Sequence, residues 1–265
     1  MAHHGLPCTA RYLRCINLVE EEYGVRIDMS VNDAESSGLR MPRRCAQCSV
    51  RHKAMCSAIE TDRVDVLDKI VTHTQIGPGQ TVFDEGDEAK YVYNVSRGHV
   101  RLFKLLQDGR RQITGFLAPG DFLGLAARQT YAYSAEAITD ADLCRFKVGE
   151  LEGLLEEMPQ VRERLYEIAN DELAAAQEQM LCLGRKTAKE RVASFLISQL
   201  RHGADCGEGN AEFDLPMSRS DIADYLGLTI ETVSRTFMAL REEGLIDLPS
   251  THRVSIPDIA TLRAS

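Results

Sequence analysis

Between His73 and Phe146 the chain alternates short apolar runs with glycine-bearing turns, and that alternation limits the fold more than any other stretch. Thr81-Val82-Phe83, Tyr91–Val95, His99–Leu105 and Gln112–Phe116 have the composition of strands. They are separated by Gly77-Pro78-Gly79, Glu85-Gly86-Asp87, Arg97-Gly98, Gln107-Asp108-Gly109-Arg110 and Ala118-Pro119-Gly120-Asp121. Asp-Gly between two such runs is a strong hairpin signal, because both central residues of the tight turn need a left-handed backbone. Strands this short and this evenly spaced predict a small antiparallel barrel or sandwich. Cys144 lies at its end, in Ala141-Asp142-Leu143-Cys144-Arg145-Phe146.

The period then becomes helical. From Glu150 to about Leu183 there is one break, at Met158-Pro159, where proline can open a new helix in its first turn. Ala169, Leu173, Ala176, Met180 and Leu183 follow at spacings of four, three, four and three. A narrow seam of this kind suits a two-stranded coiled coil between identical chains, while a helix laid on its own barrel is the alternative. After Gly184-Arg185-Lys186-Thr187, residues Ala188–Arg201 form a second amphipathic stretch, and His202 to Asn210 reads as a polar loop.

Residues 218–243 carry the sharpest pattern of the C-terminal half. Ser218 can cap a helix to Leu226, with Asp221 answering it, and Gly227 occupies the turn. Thr229 caps a second helix with Ile230, Val233, Phe237 and Leu240 on its core side, stopped by Gly244. A helix–turn–helix of this build puts its second helix in the DNA major groove. The outer face then shows Glu231, Ser234 and Arg235, whose side chains suit cytosine N4, either base, and guanine O6/N7 respectively. Thr229 and Thr232 suit phosphate. Leu245–Leu248 and Arg253–Ile256 around Pro249-Ser250-Thr251 read as a wing hairpin. Charge does not support a general nucleic-acid coat: the net charge is −9, and residues 185–265 hold ten Lys/Arg against twelve Asp/Glu. A helix–turn–helix used only for protein contacts therefore stays open.

Eight cysteines give the N-terminal segment its chemistry. With no charged-then-apolar leader pattern and no apolar run near membrane length, the expected address is the cytoplasm, where thiols serve as metal ligands or core residues. Cys45, Cys48 and Cys56 fall within twelve residues, enough to begin a metal site and not to close one. Arg40, Arg43, Arg44, Arg51 and Lys53 accompany them without an acidic residue from Ser37 to Ser57. Such a collar would offset an anionic iron–sulfur centre and favour ionised thiols, although charge alone favours a solvated basic loop. Tetrahedral zinc with His52 as fourth ligand is the competing reading. Before Arg40 there is little pattern beyond a short helix expected around Arg11–Glu22. Cys8, Cys15, Cys182 and Cys206 read as bystanders. Nothing in the sequence pairs a nucleophile with a base, so an enzyme is not expected.

Gly227-Leu228-Thr229-Ile230-Glu231-Thr232-Val233-Ser234-Arg235 resembles, almost residue for residue, the recognition helix of the CRP/FNR superfamily, in its fumarate-and-nitrate-reduction (FNR) type. From Arg43 onward the chain is similar to the FnrN/FixK/FnrL-like branch, whose interval before the third cysteine is long, as are the seven residues between Cys48 and Cys56 here. The resemblance implies a DNA-binding, oxygen- or redox-responsive regulator, an activator among them, working as a homodimer with RNA polymerase. It implies Glu231, Ser234 and Arg235 as readers of a TTGAT-N4-ATCAA palindrome. It also implies a [4Fe-4S] cluster held by Cys45, Cys48, Cys56 and Cys144, and so supplies the fourth ligand. Ala176 stands where the best-known member carries an acidic residue, which implies dimerisation less dependent on the cluster. Leu125 and Tyr133 replace the ribose Glu and phosphate Arg of the cyclic-nucleotide members, so no cyclic nucleotide is expected.

The expected fold is α+β, with four parts. These are an N-terminal cysteine segment (1–60), an antiparallel β-roll like that of cyclic-nucleotide-binding domains (61–155), a long dimerisation helix (156–186) and a winged helix–turn–helix (187–265).

Overall fold

The computed structural model describes Cys45 and residues 48–124, 129–200, 205–206 and 211–265. The helix expected around Arg11–Glu22 and the arginines at 40, 43 and 44 lie outside these residues, as does Leu125. The chain divides into two compact units within one long helix, between Leu173 and Ala174.

The first unit is an antiparallel roll of two four-stranded sheets. One has the order β1 (Val71–Ile76), β8 (Ala141–Lys147), β3 (Tyr91–Arg97), β6 (Phe122–Leu123). The other runs β2 (Thr81–Phe83), β7 (Ser134–Ala137), β4 (Val100–Leu105), β5 (Arg111–Leu117). Four of these strands match the apolar runs read from the sequence. The first begins two residues before His73, and β7 was not legible, because its Ser-Ala-Glu-Ala composition carries no strand signal. Side chains alternate across β3 and β8, so one face of each closes the interior of the roll and the other faces outward. The interior core holds Phe83, Tyr93, Val95, Val100, Leu123, Tyr131 and Leu143. Gly98, at φ +80°, is required where two turns meet: a Cβ there would stand 2.2 Å from the Asp140 carbonyl oxygen.

Outside the first sheet lies a second core, built from Val92, Phe122 and Phe146 of the sheet together with α1 (Asp65–Ile70), α2 (Val148–Glu157) and the start of α3 (Pro159–Arg185). Met55 and Ile59 plug into it from the cysteine segment, both at most 2% exposed. Pro159 opens α3 as its composition predicts, since its missing N–H falls where a helix has no partner for it.

The second unit follows the helical pattern closely. Thr187 and Glu190 form a reciprocal capping box on α4 (Ala188–Gln199). Ser218 and Asp221 do the same on α5 (Arg219–Leu226). Gly227 ends α5 in the left-handed conformation, and Thr229 caps α6 (Ile230–Glu242) by accepting from the Thr232 N–H. A last helix, α7 (Ile259–Ala264), completes the unit.

Two expectations need correction here. The polar stretch 202–210 is not wholly loop: β9 (Asp205–Cys206) pairs with β10 (Ala211–Asp214), which joins a four-stranded wing sheet of order β11-β12-β10-β9. The wing turn also moves. β11 spans Asp247–Ser250 and β12 Arg253–Ile256, so Pro249 and Ser250 are in a strand and the turn is Thr251-His252. Pro249 is tolerated because β11 is the edge of the sheet and its register is irregular there.

Candidate functional site

Cys144 sits mid-strand on β8, paired with His73 of β1 on one side and Asn94 of β3 on the other. Its neighbours two residues either way place it on the outer face of the sheet, against the core that also takes Cys45 and Cys56 at its border. The segment carrying the other thiols is pinned over this face. The Arg51 Nη2 donates to the Ile59 carbonyl at 2.6 Å and the Arg164 Nη2 of α3 donates to the Lys53 carbonyl at 3.2 Å. Gly120 lets the segment approach: a Cβ there would come within 2.9 Å of the Lys53 Cβ.

The four thiols share one electrostatic neighbourhood. Burial pushes the Cys144 thiol up to about 12, with Cys48, Cys56 and Cys45 each adding to the shift. Cys56 is raised to about 11 by burial and then by Cys48, against a smaller opposing effect of Arg51. Cys45 is raised to about 11 by burial and by the carboxylate of Asp68, to which its Sγ donates at 3.7 Å. Of the basic collar, Arg51 and Lys53 fall within the described residues. Arg51 pulls towards thiolate, yet burial and mutual repulsion outweigh it. His52, the alternative fourth ligand, is exposed.

This donor set fits an iron–sulfur cluster. Four uncoordinated thiols, half-buried and mutually repelling, are what a polycationic core with thiolate ligands would relieve. Among the described residues, no three His, Cys, Asp or Glu side chains stand close enough for a single metal ion. A four-iron cube, being larger than one ion, keeps its thiolates further apart.

In the second unit, α6 presents the residues expected to face DNA. Glu231 and Arg235 are exposed, and Ser234 and Thr232 half-exposed. The carboxyl of Glu231 is held below its usual range by its own backbone N–H, by the Thr229 hydroxyl and by Arg235 one turn on. Being in the first turn, it also complements the helix dipole. Ile230, the first residue of α6, departs from expectation: it is 47% exposed rather than part of the core. Val233, Phe237 and Leu240 are buried as expected, with the Arg219 guanidinium over the Phe237 ring at 3.5 Å. Arg191 ties the unit together by donating to the carbonyls of Leu183, Lys186 and Leu226 at 2.8–3.0 Å.

Along α3 the seam residues Leu173 and Met180 are 58% and 64% exposed, Ala176 is exposed, and Ala169 and Leu183 are half-buried. Tyr166, at 70% exposure and three residues before Ala169, extends the seam by one position and was legible from its spacing. Inside the roll, the Tyr133 hydroxyl accepts from the Gly124 N–H at 3.3 Å, and its ring lies 5.8 Å from that of Phe83. An aromatic group thus occupies the position assigned to a phosphate-binding cation.

A β-roll followed by a long helix and a winged helix–turn–helix defines the class of two-part sensor–DNA-binding proteins. Residues 73–158 match a family described as cyclic nucleotide-binding domain, and 190–265 one described as Crp-like helix-turn-helix domain. The chain is 42% identical to transcriptional activator protein FnrL of Cereibacter sphaeroides, over 83% of this chain and 90% of that protein. It is 44% identical to transcriptional activatory protein AadR of Rhodopseudomonas palustris, over 77% and 85%. The solved structure of FixK2 from Bradyrhizobium japonicum is 39% identical and superposes with a TM-score of 0.68, covering 74% of this chain and 96% of that one. The chain belongs to the CRP/FNR family: it is a DNA-binding transcription regulator. Among the described residues no helix is long and apolar enough to cross a membrane.

Proposed function

We propose that this regulator senses oxygen through a [4Fe-4S] cluster held by Cys45, Cys48, Cys56 and Cys144, and acts as a homodimer on a TTGAT-N4-ATCAA palindrome. The observation that carries the reading is that Cys144, almost ninety residues downstream, packs against the same buried core as Cys45 and Cys56. When bound, the cluster would supply oxygen-labile cross-linking of the cysteine segment to the β-roll. The chain does the rest. Met55 and Ile59 seat the segment on the core that also receives Val161 and Leu165 of α3, so a change in the segment reaches the root of the seam helix. The seam residues Ala169, Leu173, Ala176, Met180 and Leu183 pair two chains. A two-fold dimer then offers two copies of Glu231, Ser234 and Arg235 to a two-fold site, with Thr229 and Thr232 on phosphate. RNA polymerase is the partner through which a transcriptional activator of this family would act, and Tyr133 in place of a cation argues against cyclic nucleotide as signal.

Anaerobic reconstitution tests the reading. It should give a brown protein with about four iron per chain, and alanine at any one of the four cysteines should abolish that loading. A full cluster in any single variant, or a colourless zinc protein, would overturn it. Fluorescence anisotropy on the palindrome should show binding by the reconstituted protein that air exposure removes.

A further inference from the structure

Cys144 is the one candidate ligand that comes from a rigid sheet, and the two strands beside it place a polar side chain opposite it. The register runs His73–Cys144–Asn94 across β1, β8 and β3, and directly opposed residues of antiparallel strands share a face. On the β1 side the exposed His73 brings its Nδ1 to 3.7 Å from the Cys144 Sγ. On the β3 side Asn94 is 4% exposed, in the middle of a strand whose neighbours are Val92, Tyr93 and Val95. Its Oδ1 is buried and has no hydrogen-bond partner. Burying a carboxamide in an apolar strand without a partner costs free energy, so such a group in a native sheet calls for a partner that the polypeptide does not provide.

Ser96, two residues further along β3, also hydrogen-bonds the Cys144 thiol and favours its ionised form, but its hydroxyl has a second acceptor in the Asp142 carbonyl at 2.8 Å. One proton divided between two acceptors leaves the thiolate room for a further donor. Asn94 has two N–H groups, and exchanging its amide oxygen and nitrogen by a half-turn of the side chain brings them to the position of the unpartnered oxygen. A sulfur that has lost its proton to a metal is an acceptor only, so Asn94 and an ionised Cys144 are complementary.

We propose that Asn94 is a positioning residue for the Cys144 ligand, its carboxamide N–H donating to the Cys144 sulfur on metal binding and so setting the reduction potential and air stability of the centre. This rests on the cluster reading above. Hydrogen bonds to cluster sulfurs withdraw charge and raise the potential. A centre with a higher potential gives up electrons less readily, so the donor also slows oxidation.

The test uses the full-length chain, reconstituted anaerobically as the parent, Asn94→Leu and Asn94→Thr, with iron content, midpoint potential and visible-band decay in air measured on each. Leucine keeps the branched skeleton without a donor, and threonine restores a donor on a β-compatible side chain. Asn94→Leu is expected to load iron as the parent does, with a lower potential and decay faster by on the order of tenfold, while Asn94→Thr returns most of the way to the parent. Unchanged potential and decay in Asn94→Leu would overturn the proposal, as would a threonine variant that behaves like leucine. Failure of both variants to load iron would make Asn94 a packing residue and also overturn it. A parent that takes up no iron would instead refute the cluster reading.

Discussion

Three of the four thiols gathered at the edge of the outer core resist ionisation in the folded chain. Cys45, Cys56 and Cys144 are raised from an ordinary value of 9.0 to about 11, 11 and 12. A thiol raised in the folded state stabilises the metal-free fold below pH 9, and that contribution is lost as pH rises through the folded values. Alkylation of the anaerobic metal-free protein by iodoacetamide, followed by peptide mapping, should show Cys144 still gaining reactivity beyond about pH 10, where a free thiol has levelled off. Levelling between about pH 8 and 9 would mean Cys144 is not buried among thiols. On the DNA side, Arg235 is exposed on α6 and pre-set by Glu231 one turn away. Arg235→Ala should cost about 1–3 kcal/mol of specific binding and relax discrimination at one base pair of each half-site, measured by competition with single-base variants.

Individual elements were legible wherever one local rule governed them. Capping residues marked the starts of α5 and α6, proline the start of α3, and Asp-Gly the β4–β5 hairpin. What escaped was governed by pairing at a distance. Ser134–Ala137 is a strand because β2 and β4 flank it, and Asp205–Cys206 because β10 does, not because of composition. Of the candidate site, spacing picked out Cys45, Cys48, Cys56 and the α6 face, while Cys144 entered only through the family resemblance. The polar Asn94 inside an apolar strand was visible too, but its place opposite Cys144 is a matter of register, which no local pattern reveals. Two element-level outcomes can be checked. Gly227 sits at φ +61°, and a Cβ added there would meet its neighbours only at ordinary contact distance. Gly227→Ala should therefore cost about 1–2 kcal/mol through backbone strain alone, read as a lowered denaturant midpoint without loss of helix content. Ala176→Glu should weaken self-association by at least about tenfold in sedimentation equilibrium, since two like charges would meet across the seam. A metal-free parent that stays monomeric at micromolar concentration would refute the idea that Ala176 makes dimerisation less dependent on the cluster.

At the scale of the molecule, the puzzle is a DNA-binding protein with net charge −9 whose residues 185–265 hold more acids than bases. The second unit also commits several of its cations internally. Lys186 donates to Ser194, Lys189 pairs with Glu243 and Arg253 with Glu212. Arg191 holds three carbonyls and Arg219 covers Phe237. Half of the ten Lys/Arg of residues 185–265 are engaged within the unit in this way, which lowers the number of phosphates they neutralise, each contributing about 0.9 to the logarithmic salt slope. The proposed base contacts of Glu231, Ser234 and Arg235, doubled by a two-fold axis, would then carry a large share of the affinity, with the hydroxyls of Thr229 and Thr232 positioning the helix on phosphate without releasing ions. A salt titration of the reconstituted dimer on the proposed palindrome, followed by anisotropy, should therefore give a slope clearly shallower than about −10. Binding to scrambled DNA should be weak even at low salt. A slope near about −10 would show that affinity is dominated by phosphate contacts and that the acidic balance is offset by residues outside the α6 face.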